Sequence, residues 1–195
     1  MTDTIPSHFK AYKPYGMLSQ MGSNDLKEAR SKRFLSELYD FPAGTMPIGR
    51  LDENSEGLLL LTTNGKLSDT INRSGIEKEY YAQLDGEITD DALRQITMGV
   101  EIGFDGKKYP AKAVAVKKLR MPPNFPEANR KIRLGRHRPT SWIGITLTVG
   151  KFRQVRKMTA AVGFPTLRLV RVRIGLITLD GLAPGNVQLL QALNF

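Results

Sequence analysis

Residues 46–65 (MPIGRLDENSEGLLLLTTNG) constrain the fold more than any other stretch of the chain. Leu58, Leu59, Leu60 and Leu61 form an unbroken apolar run. The turn formers of residues 53–57 lead into it, and Thr62, Thr63, Asn64 and Gly65 close it. A short apolar run between turn signals predicts a buried strand. Arg50 and Asp52 stand at the lip of the turn before it. In an extended segment, side chains two positions apart leave on the same face, so these two would point together into the space the turn borders. Taken alone, Arg-x-Asp is also the pattern of a solvated surface pair, which contributes little to stability.

The chain has 195 residues, 41% hydrophobic and 25% charged, enough to bury a good core as one domain or two small lobes. It contains no cysteine, so disulfides and thiolate metal sites are excluded. His8 and His137 lie far apart with no second ligand at useful spacing, and no metal is expected. The N-terminal MTDTIPSHFK lacks an apolar core, and no apolar run approaches membrane length, so no membrane association and a cytoplasmic home are expected. Charge is unevenly spread. Residues 117–173 hold fifteen Lys/Arg and one acid, Glu127, a net of +14, against −4 for the remainder. This asymmetry suggests a face that meets a polyanion.

Along the chain, residues 9–16 (FKAYKPYG) predict a strand running into a turn, with Pro14 forcing an extended entry. Residues 19–30 are polar and predict a mobile loop, and 31–39 a short helix with Phe34, Leu35 and Leu38 on one side. After the leucine run, 66–73 suits a helix closed by Gly75, and 77–84 (EKEYYAQL) a strand. Thr89 is an N-cap for a helix over 92–98, with Asp90 and Asp91 in its first turn. Residues 100–104 and 108–118 predict two strands around the Asp105-Gly106 turn.

The basic, proline-interrupted 120–139 reads as a long loop or hairpin excursion, a candidate clamp on a polyanion through Arg130, Lys131 and Arg133. Residues 142–149 (WIGITLTV) predict a strand, and 152–162 a helix. In 167–174 (LRLVRVRI) the alternation predicts apolar side chains inward with Arg168, Arg171 and Arg173 distributed around them. A last strand near 177–179 and an apolar C-terminal stretch complete the core. The order of elements gives an α+β fold, a mostly antiparallel mixed sheet with flanking helices.

Two chemistries can be set aside. The seven residues separating Gly57 from Gly65 are too many for a phosphate loop, and no Ser or Thr follows Lys66. Asp52, Glu53 and Glu56 crowd one turn, whereas glycoside hydrolysis needs carboxyl groups flanking a bond from opposite sides. Two further anchors remain. Lys78-Glu79-Tyr80 places a tyrosine on a strand, ordinarily a packing position, with Tyr81 on the other face. Residues 150–158 (GKFRQVRKM) open a helix with Arg153, Arg156 and Lys157 at adjacent positions, which is also how a solvated basic face looks.

The string Gly-Arg-Leu-Asp-x-x-Ser-x-Gly-Leu-Leu-Leu-Leu-Thr over residues 49–62 resembles the central motif of the RsuA/RluE-type ribosomal RNA pseudouridine synthases. Lys13-Pro14-Tyr15-Gly16 is similar to the string that opens the catalytic domain of that family, and residues 142–171 look like its RluE subgroup, which acts on large-subunit ribosomal RNA. Two departures stand out. Val149 replaces the family's usual Glu, and Phe152 stands where Asn is frequent.

The resemblance implies a single pseudouridine synthase catalytic domain over residues 1–195, possessing a central basic cleft and divisible into two sub-lobes. Only twelve residues precede Lys13, too few for the small RNA-binding domain that many relatives carry there. It implies Asp52 as nucleophile or electrostatic partner at the ribose, Arg156 as the residue that holds it ionised, and Tyr80 as the ring against the uracil. Arg50 would occupy or brace the space left by an extruded uridine, or form an ion pair with Asp52 or Glu53. Lys13, Lys78, Arg153, Gln154 and Lys157 would contact RNA, with Arg168, Arg171 and Arg173 adding grip on phosphates. No cofactor or metal is implied, a monomer is expected, and the partner is ribosomal RNA, free or in an assembly intermediate. The rival expectation is a non-catalytic RNA-binding or ribosome assembly factor on the same fold.

Overall fold

The computed structural model describes residues 5–128 and 139–195. In chain order they form β1 (His8–Lys13), α1 (Leu26–Ser31), β2 (Met46–Ile48), β3 (Glu56–Thr62), α2 (Gly65–Arg73), β4 (Lys78–Asp85) and α3 (Asp90–Met98). The chain continues with β5 (Val100–Phe104), β6 (Lys107–Ala111), β7 (Ala115–Lys118), β8 (Thr140–Leu147), α4 (Gln154–Ala161), β9 (Thr166–Ile174), β10 (Ile177–Thr178) and β11 (Val187–Leu190). These elements divide between two compact units, Met1–Ile76 with Arg171–Phe195, and Glu77–Val170.

The first unit is built on β3, and every one of its seven residues is buried. β1 pairs antiparallel with it along its length, Ala11 opposite Leu59 and Lys13 opposite Gly57, and β2 sets Ile48 opposite Leu60. β11 joins the far edge of β1. Leu59 and Leu61 meet Phe9, Ala11, Met17 and Leu35 in the core, where the Phe41 ring stands edge-on to Phe9 at 5.2 Å. Alternation along a half-buried strand would expose Leu58 and Leu60, but both are fully buried, which is the burial expected of an unbroken apolar run.

Two local expectations change here. Residues 26–31 are a helix rather than loop, because the Asp25 carboxylate caps it by accepting from the Glu28 N–H at 2.8 Å. The helix expected over 31–39 shrinks to a single 3-10 turn, Leu35–Glu37, whose Glu37 carboxylate accepts from the Phe34 N–H at 2.7 Å.

The second unit pairs β4 with β8 antiparallel over eight residues, with β7 on the other edge of β8. Tyr80, Ala82 and Leu84 form the buried face of β4. Thr89 caps α3 by accepting from the Ala92 N–H, as its position before two acids predicts. β5 and β6 make a hairpin whose turn residues, Asp105 and Gly106, both have left-handed φ angles. The strand expected over 108–118 is two strands. After Ala111 the chain turns inward, Ala113 is buried with its N–H donating to Ile96 O, and β7 pairs with β8 instead of continuing the hairpin.

β9 corrects the reading of its arginines. The middle of the strand is buried on both faces, and Arg168 and Arg171 are 5% and 3% exposed. Arg168 donates to Pro126 O at 2.9 Å and lies over the Phe125 ring, Arg171 donates to Leu58 O at 2.7 Å, and Arg173 to Gly175 O at 2.9 Å. Arg168 and Arg171, buried and bonded to backbone carbonyls, are not placed to grip phosphate, whereas Arg173 is only half-buried.

Candidate active site

Asp52 sits in an irregular loop of the first unit, between β2 and β3, and the chain enters that loop through Gly49 with φ +69. A Cβ there would stand 3.2 Å from Asn72 Oδ1, so the sharp turn into Arg50 needs glycine. The loop backbone is tied on both sides of Asp52. Ser19 Oγ accepts from the Leu51 N–H at 3.0 Å and donates to Leu51 O at 2.8 Å. Gly16 N–H donates to Glu53 O at 2.9 Å, and Arg171 Nη1 reaches Arg50 O at 3.4 Å. Lys32 holds the Glu53 carboxylate at 2.9 and 3.0 Å, so Glu53 is not the partner of Arg50. The Ser55 N–H closes the turn onto Asp52 O at 3.0 Å.

What remains is a half-buried carboxylate on a fixed backbone. Within this unit it enters no hydrogen bond or ion pair with a described residue, and Arg50 beside it is exposed.

Lys13, expected at the RNA surface, is fully buried. Its ammonium donates to Met17 O at 2.6 Å, Pro14 O at 3.0 Å and Glu53 O at 3.5 Å. Burial pushes its pKa down to about 7, opposed by Glu56, reinforced by Arg171, and opposed again by Glu53 and Asp52. Lys13 therefore ties the Asp52 loop from inside and does not reach solvent.

In the second unit, Tyr80 lies opposite Ile145 of β8 and is 8% exposed, with half-buried Lys78 two residues earlier on the same face of the strand. Tyr81 turns the other way. Its ring stands 6.1 Å from Phe125, which in turn packs 5.9 Å from Trp142, so Tyr81 belongs to a packing cluster.

The helix α4 begins at Gln154, two residues later than the expected 152. Arg153 is its N-cap, in a left-handed conformation with φ 54, and does not share the helical face of Arg156 and Lys157. Gln154, expected to meet RNA, is 4% exposed and closes the turn by accepting from the Lys151 N–H at 2.9 Å. Arg156 is braced on Thr166 O at 3.1 Å, and Lys157 on Gly103 O at 2.7 Å. Arg130, Lys131 and Arg133 lie outside the described residues.

Sequence reasoning missed Ser19, which it left in a polar loop, and Lys32. No local signal marks either, since each acts on backbone or carboxylate more than twenty residues away. Among the described residues no group of three or more His, Asp or Glu side chains could hold a metal ion, and no helix is long and apolar enough to cross a membrane.

Chemically, the first unit offers a carboxylate near buried cations, and the second a tyrosine ring and a braced guanidinium. Among solved structures, the crystal structure of a pseudouridylate synthase matches with a TM-score of 0.73 at 24% identity, covering 98% of this chain and 73% of the other, a likeness of fold. The fold is therefore the α+β fold of that class. Residues 8–161 match the model of the RNA pseudouridylate synthase family, and the chain belongs to that family. It is an isomerase of the RsuA/RluE type. Ribosomal large subunit pseudouridine synthase E of Xanthomonas campestris pv. campestris is 39% identical over 175 residues, 89% of each chain. The protein of the same name from Vibrio parahaemolyticus is 39% identical over 176 residues, 89% of this chain and 69% of the relative.

Proposed function

We propose that this chain converts a specific uridine of large-subunit ribosomal RNA to pseudouridine, as a monomer in the cytoplasm and without a cofactor. The reaction breaks the N1–C1′ bond, turns the base while it is held, and joins C1′ to C5. The C5 proton leaves and N1 gains one, so atoms balance. Asp52 acts at the ribose, as nucleophile or as electrostatic partner. Tyr80 stacks on the uracil and relays a proton. Arg156 holds Asp52 ionised during turnover, and exposed Arg50 braces the space left by the extruded nucleotide. Lys78, Arg153 and Lys157 contact the RNA, together with Arg130, Lys131 and Arg133. Residues 1–195 act as one catalytic domain made of two lobes.

The observation that carries this reading is the Asp52 loop. Hydrogen bonds tie the backbone on both sides of a carboxylate that has no hydrogen-bond or ion-pair partner among the described residues of its unit. A loop held that firmly around a carboxylate suits pre-organised chemistry. The large-subunit substrate is supported by the relatives' names.

The test uses large-subunit ribosomal RNA carrying tritium at uracil C5. Wild type should release tritium, and Asp52→Ala should release none while its RNA affinity stays within a few-fold. Binding without release by wild type would favour the non-catalytic assembly factor. Turnover by Asp52→Ala would remove the assignment of Asp52.

A further inference from the structure

Phe152 is 65% exposed, an unusual position for a phenylalanine in a tightly closed turn. The turn holds it firmly, because Gln154 bonds the Lys151 N–H and Arg153 adopts its left-handed conformation immediately after. The ring is not isolated. Lys157 Nζ stands 5.5 Å from the Phe152 ring centre and 5.8 Å from that of Phe104, anchored by its bond to Gly103 O. Lys151 Nζ lies 4.8 Å above Phe104 and 5.6 Å from Tyr109, and those two rings are 6.2 Å apart.

The start of α4 and the β5–β6 hairpin thus form one strip in which flat rings alternate with ammonium groups. Among the described residues, none of Lys151, Arg153 and Lys157 forms an ion pair with a carboxylate.

Scattered exposed apolar residues need no explanation. An exposed ring fixed by its backbone and flanked by cations without carboxylate partners does invite one. Every nucleobase presents a π-face and every nucleotide a phosphate, and single-strand binders meet them with aromatic and cationic side chains side by side. Cations that sit near ring centres at such distances are held by the ring quadrupoles, so less freedom is lost when they meet phosphate. We propose that Phe152 is a stacking platform for an unpaired base of the RNA, with Lys151, Arg153 and Lys157 receiving the adjoining phosphates. The proposal rests on the RNA-substrate reading above, and it places a contact four residues before Arg156.

The test compares full-length wild type with Phe152→Leu, which keeps apolar bulk but removes the π-face, and Phe152→Tyr, which keeps it. Affinity is measured for a single-stranded oligouridylate and for a fully paired RNA duplex, and tritium release for large-subunit ribosomal RNA. Phe152→Leu should bind the single strand roughly tenfold or more weaker. Phe152→Tyr should stay within about twofold, duplex affinity should change little, and a 5-bromouridine photo-cross-link should map to residue 152.

Wild-type single-strand affinity in Phe152→Leu, equal losses for both RNAs, equal losses in Leu and Tyr variants, or a cross-link mapping elsewhere would each overturn the platform. If wild type releases tritium while Phe152→Leu matches it in affinity and turnover, the platform falls and the catalytic reading stands. If wild type releases none while Phe152→Leu alone loses single-strand affinity, the platform stands and the catalytic reading falls.

Discussion

Replacing Lys13 with methionine should change how stability depends on pH. In the folded chain the ammonium is buried and its pKa is pushed down from 10.5 to about 7, foremost by loss of solvation. In the unfolded chain it regains its ordinary value. Between those two pH values the unfolded state holds a proton that the folded state has released. Unfolding free energy attributable to this group therefore rises with pH, with a limiting slope of about 1.4 kcal/mol per unit. Below pH about 7 both states are protonated, and the contribution is flat.

The absolute effect of Lys13→Met at one pH is not diagnostic. It leaves Met17 O and Pro14 O without a donor, at about 1–3 kcal/mol each, and at the same time removes an ammonium that is costly to bury. The pH dependence separates these effects. Urea unfolding followed by circular dichroism from pH 6 to 9.5 should show wild-type minus mutant stability level at first. It should then climb by roughly 2–3 kcal/mol between pH 7.5 and 9.5. A difference that stays level across the range would show that Glu56, Glu53 and Asp52 keep the ammonium charged, and the argument from burial would fail.

Ser19→Ala leaves both polar atoms of the Leu51 backbone without their buried partner, at about 1–3 kcal/mol of stability. It should also lower single-turnover pseudouridine formation more than RNA affinity; intact turnover in a destabilised variant would mean the other ties suffice to place Asp52. Gly49→Ala imposes a side chain at φ +69 and within 3.2 Å of Asn72 Oδ1, and should cost about 1–2 kcal/mol in thermal unfolding. Replacing Arg130, Lys131 and Arg133 together by alanine should flatten the plot of log affinity against log salt by about 2, at ~0.7 for each phosphate no longer neutralised. An unchanged slope would place the RNA elsewhere.

The parts of this fold that were legible in the sequence are those written in consecutive residues. The leucine run announced β3 because apolar side chains at every position leave only burial on both faces. Thr89 before Asp90 and Asp91 announced α3, and Asp105-Gly106 announced the hairpin. The misreadings share a cause. Lys13, Gln154, Arg168 and Arg171 are polar side chains whose partners are carbonyls or turn amides that appear only once the chain has folded. For Arg171 the partner carbonyl is Leu58 O, 113 residues away. Alternation in β9 assigned an inside and an outside to a strand that has no outside through its middle. Of the candidate site, the motif located Asp52 and the strand periodicity separated Tyr80 from Tyr81. The ties that hold Asp52 in place could not be read, since serine at 19 has no periodicity to betray it.

The charge asymmetry also takes a different meaning. Of the fifteen basic residues in 117–173, Arg156, Lys157, Arg168, Arg171 and Arg173 each close on a backbone carbonyl. Arginine suits that task because five donors on a rigid plane can satisfy carbonyls without a proton being lost. A carbonyl dipole does not cancel the charge, however. These guanidiniums still contribute to the positive potential that draws a polyanion in, even where no phosphate can touch them. Steering and gripping thus fall largely to different residues, with Lys157, bonded to Gly103 O and still able to meet phosphate, serving both. Buried Arg168 and Arg171 add to the association rate, while the number of phosphates contacted, and with it the steepness of the salt dependence, follows from the cations whose charged ends reach solvent.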